Sequence, residues 1–203
     1  MDTKDKSIVC IGAGNVATHL SKALQQKGFQ LQQVYSRTEE SARTLANTLG
    51  CKWTNQLAQV YEQADVYIVS VKDAVLETVI DQLAHYNPDA LYLHTAGSMP
   101  MEVWKGKQKN YGVAYPMQTF SKQREVRMEE VPFFIEANTA ENLLLLREIA
   151  ESLSTKVYKA TSAQRKYLHI AAVFACNFSN HMYAICEHLL TAHQLPFETM
   201  LPL

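Results

Sequence analysis

Six residues near the start, Gly12-Ala13-Gly14-Asn15-Val16-Ala17, have the spacing of a phosphate-gripping turn. They follow an apolar run, "SIVCI", and open a segment of helical period. That context turns a common glycine pattern into a dinucleotide signature. Gly12 permits the tight turn, Gly14 lets backbone approach a pyrophosphate, and Ala17 is small enough for helix–strand packing. N–H groups around Asn15 and Val16 would face the anion, aided by the helix dipole. An NAD-binding chain would carry a carboxylate about twenty residues on, for the ribose 2′-hydroxyl. Here that place holds Ser36, Arg37 and Thr38. A carboxylate would repel a 2′-phosphate, whereas a guanidinium fork with two flanking hydroxyls would bind it. The expected cofactor is therefore NADP. Glu39 and Glu40 fall in the first turn of the next helix, where acids are ordinary.

Hydride transfer asks of a protein orientation and a proton donor. On a wheel of about 100° per residue, Lys166, His169, Asn177, Asn180 and Glu187 share a stripe about 80° wide on an otherwise apolar helix. Such a stripe faces either solvent or a cleft. His169 is the first candidate for general acid, because imidazole titrates near neutral pH. Asn177 would orient substrate, and His94 is the rival acid. His181 lies off the stripe and reads as structural.

The elements that must position these groups alternate. Strands are expected at 7–12, 29–36, 64–71, 90–96, 111–116, 132–137 and 155–160. Helices are expected at about 15–27, 38–50, 73–86 and 138–154, with a short one from Asn55 to about Gln63. Asn138 and Glu141, and again Thr161 and Gln164, stand at capping-box spacing. Residues 121–130, "SKQREVRMEE", read as a charged surface loop. This rhythm predicts an α/β fold: a doubly wound, mostly parallel Rossmann sheet in residues 1–160, then a helical substrate or dimerisation domain in 161–203. The long helix of that second part is read as buried, within its own domain or across a homodimer, by Phe174, Phe178, Met182, Ile185 and Leu189.

Composition narrows the classes. The 203 residues are 47% hydrophobic and 19% charged, which suits a globular chain with a sizeable core. A net charge of −1 gives no basic surplus for nucleic acid or an anionic membrane. Four cysteines without CxxC or zinc-finger spacing read as free thiols of a reducing cytoplasm, and no metal site is expected. The apolar run Tyr167–Cys186 is long enough to span a bilayer, but His169, Asn177, Ser179, Asn180 and His181 would be costly there.

"GAGNVA", "YSRT" and "VSVKDAVL" together resemble the NADP-dependent reductases related to pyrroline-5-carboxylate reductase and to deazaflavin-dependent NADP reductases. "HTAGS", "YPMQTFS", "PFFIEA" and "LHIAAVFACNFSNHMYAI" are similar to blocks of a bacterial Rossmann-like oxidoreductase family with a helical C-terminal domain. The resemblance covers nearly the whole chain. It implies that Val71 and Lys72 line the ribose side of the cofactor and that Thr95 to Ser98 approach the nicotinamide. It also implies further C-terminal helices, so the apolar end "LPFETMLPL" reads as a truncation. The function expected is an NADP-dependent oxidoreductase moving hydride to or from a C=O or C=N bond of a small metabolite. The alternative is an NADP(H)-binding sensor or interaction module without turnover. A methyltransferase would want an acid where Arg37 stands. The substrate itself is not written in these residues.

Overall fold

The structure is a computed structural model and describes residues 3–202. Its first unit is an eight-stranded sheet of order β3-β2-β1-β4-β5-β6-β7-β8. The strands are β1 (Ser7–Ile11), β2 (Gln30–Tyr35), β3 (Lys52–Thr54), β4 (Val66–Val69), β5 (Leu91–His94), β6 (Asn110–Pro116), β7 (Phe133–Ala137) and β8 (Val157–Lys159). All neighbours pair in parallel except β6 with β7. Helices α1 (Asn15–Gln26), α2 (Glu39–Leu49), α3 (Asp73–Leu83) and α4 (Ala140–Leu153) connect them.

The two faces of β1 show why the sheet is doubly wound. Ile8 and Cys10 pack with Leu20 and Leu24 of α1, Leu45 of α2 and Leu146 of α4. Val9 and Ile11 point the other way, to Leu76 and Ile80 of α3 and to Trp104. Successive strand residues alternate faces, so a strand covered on both sides must be apolar throughout. All four residues of β4, Val-Tyr-Ile-Val, are buried accordingly. The order 3-2-1-4 places a topological switch point between β1 and β4, where open α/β sheets bind ligands at the carboxyl ends of their strands.

Local chemistry sets the boundaries. Gly50 ends α2 in the left-handed conformation. Thr139, rather than Asn138, caps α4: its side chain accepts from the Asn142 N–H. The Asn138 side chain is used between strands instead, accepting from Tyr111 N and donating to Lys109 O. Residues 55–63 hold only the 3-10 turn Leu57–Gln59, and just before them Lys52–Thr54 adds the edge strand β3, which three residues are too few to announce.

The chain divides into two compact units between Lys166 and Tyr167. The first turn of α5 (Ser162–Ala172) thus belongs to the sheet unit, where Arg165 is fully buried. The capping box is present there: Thr161 N donates to Gln164 Oε1, and Gln164 N donates back to Thr161 Oγ1. The second unit continues the helix through a π-helical stretch, Val173–Phe178, into α6 (Ser179–Ala192) and a 3-10 turn, Phe197–Met200. α6 closes with Gln194 at φ 57 and a Leu195 N–H to Leu190 O bond. One expectation fails in this unit. An extra residue in a π turn rotates everything after it by about 100°. Asn180 and Glu187 are therefore swung away from His169, and the narrow polar stripe does not run on past the π turn. Within this chain the helix is not buried: Phe174 is 64% and Leu189 58% exposed.

Candidate functional site

The candidate cofactor residues of the sheet unit all lie on the carboxyl-terminal rim of β1, β2, β4 and β5. At the β1–α1 turn, Gly12 has φ +121, and a Cβ there would overlap the carbonyl of Ser70 at the end of β4. Its N–H donates to Tyr35 O at 2.7 Å, and Ser70 N donates to Ile11 O at 2.8 Å, so three strand ends are laced together at this glycine. Gly14 differs. A Cβ added to it would meet nothing within 4 Å. Protein packing does not explain a glycine there, and the open space leaves room for a group to approach the backbone closely. α1 begins with no side-chain cap and no acid in its first turn. Its first internal bond is Thr18 N to Gly14 O, so the N–H groups of Asn15, Val16 and Ala17 stand outside the helical ladder. An uncapped N-terminus beneath open space is an anion cradle.

At the end of β2, Ser36 is half-buried and its N–H donates to Thr54 O at 3.2 Å. Arg37 is exposed and makes no ion pair among the described residues. Thr38 is the N-cap of α2 but its hydroxyl makes no capping bond. The nearby acid, Glu39, points along its own helix toward Arg43 at 4.0 Å, with both side chains more than half exposed. Such pairs contribute little to stability. A cation and two hydroxyls are thus presented at this rim, and no carboxylate takes the place of the ribose-binding acid.

At β4 and β5 the rim is a chain of hydroxyls. Thr95 Oγ1 donates to Ser70 Oγ at 3.0 Å, Thr95 N donates to Val69 O, and Ser98 Oγ donates to the Asp73 carboxylate in the first turn of α3. Val71 is half-buried and Lys72, the N-cap of α3, is exposed. Ser70 and Asp73 were not singled out by sequence reasoning, although a serine closing an all-apolar strand was a usable signal.

His94 does not fit the role of proton donor. It is 0% exposed, and its Nδ1 accepts the Ala96 N–H at 3.2 Å. Burial, and then the Arg165 charge, push its pKa down to about 3. The Pro100 carbonyl opposes the shift, yet Nε2 reaches no hydrogen-bond partner among the described residues. A neutral imidazole already used as an acceptor holds the 94–96 turn rather than supplying a proton at neutral pH. His169 and Asn177 belong to the second unit, where His169 is half-buried and Asn177 exposed. Among the described residues no group of three or more His, Cys, Asp or Glu could hold a metal ion.

The family described as NADP oxidoreductase, coenzyme F420-dependent, matches residues 7–96, the segment that carries this rim. A domain family of unknown function, DUF2520, matches residues 131–203. A Bacteroides fragilis protein described as an NADP oxidoreductase superposes with a TM-score of 0.94 at 54% identity, covering 99% of this chain and 78% of that one. The chain belongs to the Rossmann-like NADP oxidoreductases. It is an NADP-dependent oxidoreductase, and its rim suits that cofactor: an anion cradle under an open glycine, and a cation where NAD-binding proteins keep an acid. Two more distant structures show that these oxidoreductases share a wider fold. An imine reductase from Myxococcus stipitatus in complex with NADP+ has a TM-score of 0.74 at 18% identity, over 95% of this chain and 68% of that one. A 1-pyrroline-5-carboxylate reductase from Streptococcus pyogenes has 0.72 at 14%, over 97% and 74%. No curated protein matches. Among the described residues no helix is long and apolar enough to cross a membrane.

Proposed function

We propose that this oxidoreductase reduces a C=O or C=N bond of a small metabolite with NADPH, in the reducing cytoplasm. The observation that carries the cofactor half is the pairing, on one rim, of the uncapped α1 N-terminus under Gly14 with the exposed Arg37 at the end of β2. Gly12, Gly14, Asn15 and Val16 would hold the pyrophosphate. Ser36, Arg37 and Thr38 would hold the 2′-phosphate, Val71 and Lys72 the ribose side, and Thr95 the nicotinamide end. When bound, the cofactor supplies the hydride. His169 is the proton donor of this reading and Asn177 the residue that orients substrate; His94 has no part in proton transfer. The C=N option draws on the names of two neighbours of the same fold, an imine reductase and a pyrroline-5-carboxylate reductase. Four free cysteines agree with a reducing compartment.

A second copy of the chain is the proposed partner. Tyr167, Phe174, Phe178, Met182 and Leu189 are exposed by 48–74% along one helical segment, a density of large apolar groups that marks an interaction surface. Light scattering on the protein should give a dimer mass; a monomer at micromolar concentration contradicts this part.

The function is tested by following NADPH absorbance against a panel of small aldehydes, ketones, 2-oxo acids and cyclic imines. Turnover of at least one class, lost on His169→Ala, supports the reading. Tight NADPH binding without turnover across the panel contradicts it.

A further inference from the structure

Arg165 is the feature of the sheet unit that neither cofactor binding nor proton transfer uses. It is 0% exposed although it sits one turn into a helix. Its Nη1 donates to Glu136 Oε2 on β7 at 2.8 Å, and its Nη2 donates to Met99 O at 2.7 Å and to Ser162 Oγ at 3.3 Å. Ser162 Oγ in turn donates to the same Glu136 oxygen at 2.7 Å and accepts the Met101 N–H at 2.9 Å. Met99 and Met101 belong to the loop that leaves β5 through Thr95 and Ser98. Three segments distant in sequence therefore meet at one buried ion pair, and two of the bonds are made to the backbone of that loop.

A buried ion pair is poor evidence of stabilisation, because desolvating both charges offsets much of their attraction. What it supplies is direction. A planar guanidinium holds two acceptors at fixed angles through separate nitrogens, a rigid fork that the freely rotating ammonium of lysine lacks. The loop gains a second restraint at its start. The nearby positive charge helps keep His94 unprotonated, and an unprotonated Nδ1 is what accepts the Ala96 N–H. The loop is thus held at 96 through His94 and at 99 and 101 through Arg165 and Ser162. Between those points lie Gly97 and Ser98, with Thr95 just before.

We infer that Arg165 and Ser162, anchored by Glu136, are positioning residues that set the 95–101 loop for the nicotinamide end of the cofactor. They act through that loop, without touching the cofactor's phosphates. The inference rests on the reading above, in which Thr95 lies at the nicotinamide end and Arg37 at the 2′-phosphate end. It follows that damage to the clamp separates the two ends of the cofactor.

Two probes distinguish those ends: NADPH, and adenosine 2′,5′-bisphosphate, which carries the 2′-phosphate but has no nicotinamide. Both are titrated against wild type, Ser162→Ala, Ser162→Thr and Arg165→Lys, together with the fluorescence of the bound reduced nicotinamide. In Ser162→Ala and Arg165→Lys the NADPH affinity should fall about tenfold while the bisphosphate affinity stays within about twofold. Nicotinamide fluorescence should move toward that of the free cofactor. Ser162→Thr, which keeps the hydroxyl, should restore both. Unchanged NADPH affinity and fluorescence would overturn the inference, and so would an equal loss for both probes, which is what a merely structural role predicts. If Arg165→Lys does not fold, Ser162→Ala and its threonine rescue decide alone. A wild-type protein that fails to bind the bisphosphate would sink the cofactor reading itself.

Discussion

Acid should destabilise the sheet unit through His94 by an amount that can be worked out. An imidazole of ordinary pKa 6.5 in the unfolded chain is held at about 3 in the fold by burial and by Arg165. A group whose folded pKa is depressed contributes stability above its unfolded pKa and loses it as pH falls toward the folded value. The window is therefore pH 6.5 down to about 3. At pH 4 the unfolded chain binds a proton that the folded chain refuses. At ~1.4 kcal/mol per pH unit this costs about 3 kcal/mol relative to pH 7. Carboxylates also titrate over the same range, so the variant His94→Asn supplies the reference. Its amide oxygen can still accept the Ala96 N–H, and it does not titrate. Urea unfolding is followed by tryptophan fluorescence. Both tryptophans, Trp53 and Trp104, lie in the sheet unit, so the signal reports on that unit alone. The loss of stability between pH 7 and pH 4 should be about 3 kcal/mol larger in wild type than in His94→Asn. Equal losses would show that His94 protonates freely in the fold, and the account of the 94–96 turn would fall.

The two loop glycines should separate structure from binding. Gly12→Ala forces a Cβ onto the Ser70 carbonyl at a φ of +121 and should cost about 2–4 kcal/mol of stability. Gly14→Ala has an ordinary φ of −78 and open space around it, so its melting temperature should stay near wild type while NADPH affinity falls at least about tenfold; a variant that binds normally would remove the cradle. Burial pushes the Cys10 thiol up to about 12, so a thiol reagent at neutral pH should leave Cys10 unmodified until the protein is unfolded, as peptide mapping can show. Thr139→Ala, which deletes the cap of α4, should cost about 1 kcal/mol in the same urea titration.

The parts of the fold legible in the sequence are those governed by local chemistry. The turn at Gly12, the left-handed Gly50 and the reciprocal bonds of Thr161 with Gln164 each follow from residue type within a few positions. β4 could be read as a covered parallel strand because all four of its residues are apolar. The parts that are not legible are those where a distant partner decides. Strand direction is not a local property, so nothing in "PFFIEA" announces that β7 runs antiparallel to β6. Asn138 has a capping side chain, but β6 claims it and the adjacent threonine takes the helix. Nothing in the residues around Arg165 announces that Glu136 and Met99 are brought against it. A histidine at a strand end can be an acid or a buried acceptor, and only the burial of His94 decides between them. The π-helical stretch at Val173–Phe178 defeats any wheel drawn at constant pitch.

The most direct test of the central claim is a titration of NADPH and NADH against wild type and Arg37→Ala. If Arg37 holds the 2′-phosphate, wild type prefers NADPH, and the variant loses one to two decades of that preference, ~1.5–3 kcal/mol for a charge-assisted hydrogen bond. NADH binding should stay unchanged. Equal affinity for the two nucleotides, indifferent to the substitution, would contradict the claim.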